Sequence, residues 1–431
     1  MRVLMLTPGY PPMPGGGERY VAALAQELAA RGHDIVAITS MTERPEAFWT
    51  GTHAGEAVAE VQRKGLGVIR LPLRGFSGGR LPMLLLRKTM AVSGALGDVA
   101  LPLLERWGQR FPGLVGLEQA ALATETPLVV HSFNASWEQC LLTGSHVARI
   151  FAAPHVTSPF FHVGVKSAGR VWRNNGMPHQ RRVLVEADAV LTNTVSERDG
   201  LVRLGVDHSR LHIVGAAIPP MPDADRSDRP VRLSERLTTG DAPLVLFLGR
   251  VSNDKGALLA MRAIARLSQL GIPCRLALAG QPAPEAQRLA KRLAQQGHPV
   301  HLLGLVDEST KAWLLSHCTA LVLPSRTDSF GLVLLEAWQY GKPVVVASVG
   351  GPADLVSHGI DGLQVPWGDV DALAGALQCL LTDRIYAARL GAAGQAMAAS
   401  RFSWSAVADR VEDAYRTAVA DYKNRQRGGP R

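Results

Sequence analysis

Leu323-Pro-Ser-Arg-Thr-Asp-Ser-Phe-Gly-Leu-Val-Leu-Leu-Glu-Ala-Trp-Gln-Tyr-Gly-Lys-Pro-Val344 reads as a strand ending at Leu323, a polar turn, an apolar helix and a second strand starting at Val344. That order is the βα unit of a parallel sheet. The same alternation extends outward in both directions. Around it the sequence predicts strands at Leu244–Leu248, Arg275–Ala279, His301–Leu303, Ala320–Leu323 and Val344–Ala347. An earlier series is predicted at Val3–Thr7, Ile35–Thr39, Val68–Leu71, Leu128–His131, Ala148–Ala153, Ala189–Thr192 and Leu211–Val214. A helix over Glu18–Ala30, with Val21, Leu24 and Leu28 on one face, follows the first strand and is closed by Gly32.

Ile218-Pro-Pro-Met-Pro-Asp-Ala-Asp225 and the mixed charge after it have linker composition. The fold expected is therefore α/β, with two doubly wound Rossmann-like domains facing a cleft. The divisions are an N-terminal domain over 1–218, a linker over 219–240, a C-terminal domain over 241–400, and a C-terminal helix with a basic tail over 401–431. That helix is expected to cross back to the N-terminal domain. The length of 431 residues suits two such domains of ~200 residues each.

The chain is 47% hydrophobic and 19% charged, which excludes a disordered or fibrous protein. Its net charge of +9 calls for polyanionic partners: nucleic acid, an anionic membrane or phosphorylated small molecules. Cys140, Cys274, Cys318 and Cys379 have no metal-binding or disulfide-framework spacing and read as core residues in a reducing cytoplasm. The apolar run Val3–Leu6 is too short for a signal peptide. The most lipid-like stretch, Leu81 to Leu104, is broken by Arg87, Lys88 and Asp98. A cytoplasmic protein, at most peripheral to the inner face of a membrane, is expected.

Ligands of doubly wound sheets bind beyond the carboxyl ends of the strands, so chemistry-bearing loops are sought there. After the first strand, Gly15, Gly16 and Gly17 can present backbone N–H groups at a helix start, where the dipole favours an anion. The stretch matches neither the dinucleotide fingerprint nor the phosphate loop. After Leu248, Arg250 and Lys255 place two cations on one loop, suited to a diphosphate. Asp328 lies in the turn of the opening segment. Glu336, eight residues on, sits within an apolar helix where an unpaired carboxylate is costly. A carboxylate there suits paired sugar hydroxyls, while the N–H groups of Phe330 and Gly331 face an anion at the helix start. Asp223-Ala-Asp225 and Asp369-Val-Asp371 look like metal motifs, but the first is in the linker and the second is a helix cap.

Taken together, these segments resemble the family 4 glycosyltransferases of the GT-B, retaining type. The family's glycine-rich loop, its GR…KG pair, its acid-x7-acid helix and its double-glycine turn correspond to Gly15–Gly17, Arg250 with Lys255, Asp328 with Glu336, and Val349-Gly350-Gly351-Pro352. Glu186-Ala-Asp-Ala-Val190 with Thr194-Val-Ser-Glu-Arg198 is similar to a further family segment. The chain departs from the pattern in carrying Asp328 for Glu and in Val214-Gly-Ala-Ala-Ile218, which lacks the family's Asn and Asp.

The resemblance implies retaining transfer of a hexose-type sugar from a nucleotide-diphosphate sugar to a hydroxyl acceptor, a glycan, lipid-linked or small-molecule one. It implies no further cofactor and no obligatory metal. Arg250 and Lys255 would hold the diphosphate and Glu336 the ribose. Asp328, Phe330, Gly331 and Leu332 would face the sugar and phosphates, with Gly16 and Gly17 also on the donor. Val306 lies where the base-contacting loop falls. A catalytic-site histidine is expected from His155 or His162, with His131 a third candidate.

Arg74, Arg80, Arg87, Lys88, Arg106 and Arg110 lie among apolar residues of the acceptor domain and suit an anionic lipid surface. Two other classes are carried alongside. One is a nucleotide-sugar-binding protein without transfer activity, or a hydrolase or epimerase on the same fold, motivated by Asp328. The other is nucleic-acid binding, ranked last because aromatics are 6% and the basic residues form no stripe.

Overall fold

Short β-branched and leucine-rich runs, each followed by a helical stretch, can bury both faces only in a parallel sheet covered by helices. The computed structural model contains two such sheets and describes residues 1–44, 46–50, 56–76, 79–161, 174–219, 237 and 242–427. The chain divides into two compact units, Met1–Gly215 with Trp404–Arg431, and Ala216–Ser403. Of the expected linker, only Pro219 and Leu237 are among the described residues.

The first unit holds eight strands: β1 (Arg2–Leu6), β2 (Asp34–Ser40), β3 (Val58–Arg63), β4 (Leu66–Leu71), β5 (Val129–Phe133), β6 (His155–Ser158), β7 (Ala189–Thr192) and β8 (Leu211–Ile213). They lie in the order β3-β4-β2-β1-β5-β6-β7-β8. All neighbours are parallel except β3 with β4. The order reverses at β1, which pairs with β2 on one side and β5 on the other. Val3, Met5 and Leu6 are fully buried; at ~1.5–3 kcal/mol per large side chain, such rows are what hold the sheet under its helices.

The helix Trp404–Arg427 belongs to this unit and lies against the helix Gly16–Ala30. Arg31 meets Asp409 at 2.6 Å, and His33 meets Glu412 at 3.0 Å. Deeper in, Tyr415 and the ring of His131 share a 2.6 Å hydrogen bond.

The second unit has β9 (Leu244–Leu248), β10 (Arg275–Ala279), β11 (Val300–Gly304), β12 (Ala320–Leu323), β13 (Val344–Ala347) and β14 (Gly362–Val365), ordered β11-β10-β9-β12-β13-β14 and parallel throughout. Its reversal falls at β9. Trp338, fully buried on the helix Leu332–Gln339, donates its indole N–H to the Asp361 carbonyl at 3.0 Å. It fits because Gly394 packs against the ring; a Cβ there would lie 2.1 Å from the indole.

Two sequence expectations are corrected, and two strands were not anticipated. The apolar run at Ala148–Ala153 is the end of the helix Glu138–Ile150 and its closing turn, and the strand is β6, whose residues His155-Val-Thr-Ser158 are largely polar. β3 went unseen because it is an exposed edge strand, with Val61 83% exposed. β14 went unseen because Gly362 and Gln364 interrupt its apolar run. Cys379 is exposed on its helix, whereas Cys140, Cys274 and Cys318 are buried.

Candidate active site

The carboxyl edge of the second sheet carries the loops expected to hold chemistry, and close glycine contacts fix them to one another. Gly256 (φ +82°) ends the loop after β9; a Cβ there would lie 2.1 Å from the Pro324 carbonyl oxygen. The Arg326 N–H donates to the Asp254 carbonyl at 3.1 Å, tying the loop after β9 to the loop after β12. On the other side, Gly351 donates its N–H to the Asp328 carbonyl at 3.0 Å. The backbones approach so closely there that a Cβ on Gly351 would sit 2.0 Å from the Ser329 oxygen. Gly280 after β10 packs likewise against Gly249 after β9. The glycines serve close approach of backbone to backbone, which sets the side chains between them.

Into this frame project the residues singled out above. The Lys255 ammonium forms an ion pair with Asp328, whose side chain is mostly buried. Arg250 is 63% exposed at its side chain and is held by Asp254 at 3.0 Å. Burial pushes the Asp254 carboxyl up, but the Ser252 hydroxyl at 2.6 Å and the Arg250 and Lys255 charges outweigh it, so the net shift is downward. Asp328 lies in the turn before the helix Leu332–Gln339, and Glu336 sits in that helix's second turn. The two carboxylates therefore occupy a loop and a helix rather than one helix face.

Glu336 is 9% exposed, and its charge is compensated by the Lys311 ammonium at 2.7 Å. Lys311 rises from the helix Glu308–His317, whose N-cap Asp307 follows β11. Sequence reasoning missed this lysine. Its partner is 25 residues away on another element, a distance at which no local spacing signals a pair. It also missed Arg326, whose guanidinium lies 5.4 Å from the Trp367 ring centroid.

Phe330 is buried against Phe402, with centroids 5.5 Å apart. Gly331, at φ +92°, is the N-cap of Leu332–Gln339, and no side chain caps that helix start. Val306 is half-buried in the loop between β11 and the helix Glu308–His317. Arg250, Lys255, Val306, Asp328, Phe330, Gly331, Leu332 and Glu336 thus lie on the loops and helix starts beyond the carboxyl ends of β9, β11 and β12, in one unit.

The remaining candidates belong to the first unit. Gly16 and Gly17 open the helix after β1, and Gly17 faces the Phe160 ring. His155 begins β6 instead of following a strand, because the strand expected before it is a helix end. Its ring is buried, with Nε2 2.8 Å from the Ser132 hydroxyl. Burial, and then the Arg149 charge, lower its pKa to about 3. His131 is fully buried between Tyr415 and Ser158. Both imidazoles are neutral at physiological pH and sit inside the sheet layer. His162 lies outside the described residues, as does Asp223-Ala-Asp225. Asp369 caps its helix, accepting the Ala372 N–H at 2.8 Å.

Among the described residues, no group of three or more His, Cys, Asp and Glu side chains is arranged to hold a metal ion. Among them, too, no helix is long and apolar enough to cross a membrane.

The two halves of the chain and its two-sheet fold are similar to known proteins. The Glycosyl transferase 4-like domain family matches residues 15–217, and the Glycosyl transferases group 1 family matches residues 242–383. A D-inositol 3-phosphate glycosyltransferase of Stackebrandtia nassauensis is 30% identical, over 94% of this chain and 87% of its own length. Among solved structures, a sucrose-phosphate synthase from Thermosynechococcus elongatus superposes with a TM-score of 0.71 at 22% identity, covering 97% of this chain and 99% of that one. The Anabaena protein HepE in complex with UDP-glucose gives a TM-score of 0.63 at 17% identity, covering 96% and 98%. On the sequence matches to both halves and the near full-length relative, this chain belongs to the group 1, GT4-type glycosyltransferases, which transfer a glycosyl group from a nucleotide sugar.

Proposed function

We propose that the protein is a retaining glycosyltransferase whose donor, a nucleotide-diphosphate sugar, binds on the carboxyl edge of the second sheet. The observation that carries this reading is the frame of glycine-locked loops that brings Arg250, Lys255, Asp328 and Glu336 to that edge. Arg250, largely exposed, offers its guanidinium to the diphosphate, and Lys255 exchanges part of its pairing with Asp328 for a phosphate oxygen. The helix start at Gly331 and Leu332, without a side-chain cap, turns its free N–H groups to the same phosphates. Glu336, oriented by Lys311, accepts from the paired hydroxyls of the ribose. Val306 borders the base.

As the bond between the anomeric carbon and the diphosphate oxygen breaks, negative charge grows on the leaving group. Fixed cations stabilise that charge more in the transition state than in the ground state. The acceptor oxygen attacks from the face the diphosphate leaves, and its proton passes to a phosphate oxygen of the leaving group. One bond to the anomeric carbon forms as the other breaks, with configuration retained. Neither a separate protein nucleophile nor a metal enters this scheme, and His155, buried against Ser132, has no part in it.

The test is transfer by purified protein from UDP-, GDP- and ADP-sugars, identified first by ligand-induced thermal shift. Lys255→Ala and Glu336→Ala should each lower kcat/KM by at least ~10²-fold while the protein stays folded. Full activity in either variant would remove the site assignment. Donor binding without transfer to any acceptor would favour the reading as a binding protein instead.

A further inference from the structure

The first unit holds a pocket of about 600 Å³ at the carboxyl end of β4, away in the chain from the candidate donor-site residues, and two members of the basic set expected to suit an anionic surface line it. It is lined by Arg74, Phe76, Gln109, Arg110, Leu114 and Val115, with glycines between them and, among the described residues, no carboxylate. Among the described residues neither Arg74 nor Arg110 has an ion-pair partner. Two guanidinium groups of like sign on one cavity repel unless an anion lies between them.

The backbone that presents them is rigidly joined. Leu73 and Leu114 form an antiparallel bridge; the Arg74 N–H donates to the Gly113 carbonyl at 2.9 Å, and Val115 to the Pro72 carbonyl at 2.9 Å. Gly113, at φ +86°, permits the approach: a Cβ there would lie 2.7 Å from the Arg74 oxygen. The buried Gln139 side chain then pins the second strand of the bridge, accepting from the Gly113 and Leu114 N–H groups at 3.0 and 2.7 Å and donating to the Leu114 carbonyl at 2.8 Å. Phe76 packs on Phe111 at 5.2 Å between centroids. A cavity whose backbone is held in this way, of the size that holds a small ligand, with Phe76 and Leu114 in its wall and two exposed arginines on it, is suited to bind an anion.

We propose that Arg74 and Arg110 form an anion site that takes the phosphate group of a phosphorylated ligand, with Phe76, Leu114 and Val115 against the body of that ligand. A phosphate monoester carries about −1.5 to −2 charges and three terminal oxygens, which two guanidinium forks can share; a carboxylate is satisfied by one. The phosphate can come from a free sugar or polyol phosphate or from a lipid headgroup. Exposed Leu81, Leu84 and Leu85 on the following helix Arg80–Ser93 lie next in the chain. The site is independent of the donor edge, so it stands or falls separately from the reading above.

Isothermal titration of the full chain with myo-inositol 3-phosphate and glucose 6-phosphate, against inositol and glucose, reads the free-ligand source. Flotation with phosphatidylglycerol vesicles, against phosphatidylcholine vesicles, reads the headgroup source. Arg74→Gln and Arg110→Gln should each weaken whichever binding is found by about tenfold or more. Lys64→Gln, at an exposed position outside the pocket, should leave it unchanged, and Arg110→Lys should fall between, since a lysine keeps the charge and loses the fork. Binding of the nucleotide sugar identified by thermal shift should survive all four variants. Binding of a phosphorylated probe that is lost in both glutamine variants supports a free ligand, and vesicle binding lost in both supports a headgroup. No binding by either source, or binding indifferent to both substitutions, overturns the proposal.

Discussion

Replacing Gly351 by alanine tests the glycine-locked frame of the proposed donor site without touching any side chain assigned to it. The added Cβ would lie 2.0 Å from the Ser329 oxygen, 2.2 Å from its carbonyl carbon and 2.6 Å from the Phe330 nitrogen, all backbone atoms with no flexible end to swing aside. Clearing a 3.0 Å contact needs a displacement of at least 1.0 Å (3.0 − 2.0) in one of the two loops. One of the two loops carries Asp328, Phe330 and Gly331, and where the displacement falls on it a 1 Å error in such groups costs roughly 10²-fold in rate. The expected outcome is a fall in kcat/KM of about that size, with a stability loss of ~1–3 kcal/mol from overpacking. Gly375→Ala is the control: that glycine lies in the helix Val370–Thr382, and a Cβ there meets nothing within 4 Å. It should leave activity unchanged and stabilise the helix by up to ~1 kcal/mol. Steady-state transfer kinetics with the donor found by thermal shift, paired with urea denaturation, read both quantities. Unchanged kcat/KM in Gly351→Ala would show that the loop position does not govern transfer, and the argument from the glycine frame would fail.

Two further outcomes follow from charges in the interior. Lys311→Met leaves the Glu336 carboxylate buried without its cation, so stability should drop by ~1–3 kcal/mol and donor affinity should fall. Adding Glu336→Gln should recover most of the stability but none of the affinity, and simple additivity in that double-mutant cycle would contradict the pairing. His131 and His155 both have pKa values lowered by burial, His155 to about 3. Below the unfolded value of about 6.5 the unfolded chain takes up protons that the folded chain refuses, so stability is full above that pH. From pH 6.5 to 5, His155 alone should remove ~1.4 kcal/mol per unit over most of the window, and His155→Gln should flatten that part of the slope. Buried Glu197, raised to about 7, contributes the opposite slope over this range, so the comparison of variants decides: equal slopes for the wild type and His155→Gln would refute the burial argument.

The sequence was most readable where both faces of an element are buried. β1, β2, β9, β10, β12 and β13 are runs of Val, Leu, Ile and Ala with few polar residues, and their positions were evident within a residue or two. β6 and β14 defeated the same reading because His155, Thr157, Gly362 and Gln364 break the apolar run. The buried helix Glu138–Ile150 misled it from the other side, since its apolar end imitates a strand. At the candidate site, the order of strands, loops and helix in the sequence was enough to expect Lys255 and Asp328 on loops after strands and Glu336 in the helix that follows. Their partnerships were not. Lys255 pairs with Asp328 across 73 residues, and Lys311 with Glu336 across 25. Only the folded sheet edge brings such positions together. The Arg74–Arg110 pocket was hidden for the same reason, because a Gln139 side chain from a third element sets its shape.

The helix Trp404–Arg427 gives the first unit a covalent discontinuity that the second unit lacks. Ala216–Ser403 is one uninterrupted stretch, whereas Met1–Gly215 receives its last element only after those 188 intervening residues. During synthesis from the amino end, the earlier unit must therefore stand open on the sheet face where Tyr415 meets His131 while the later unit is made. The order in which the two units emerge is thus the reverse of the order in which they can be completed, and the closing step seats Tyr415 over His131.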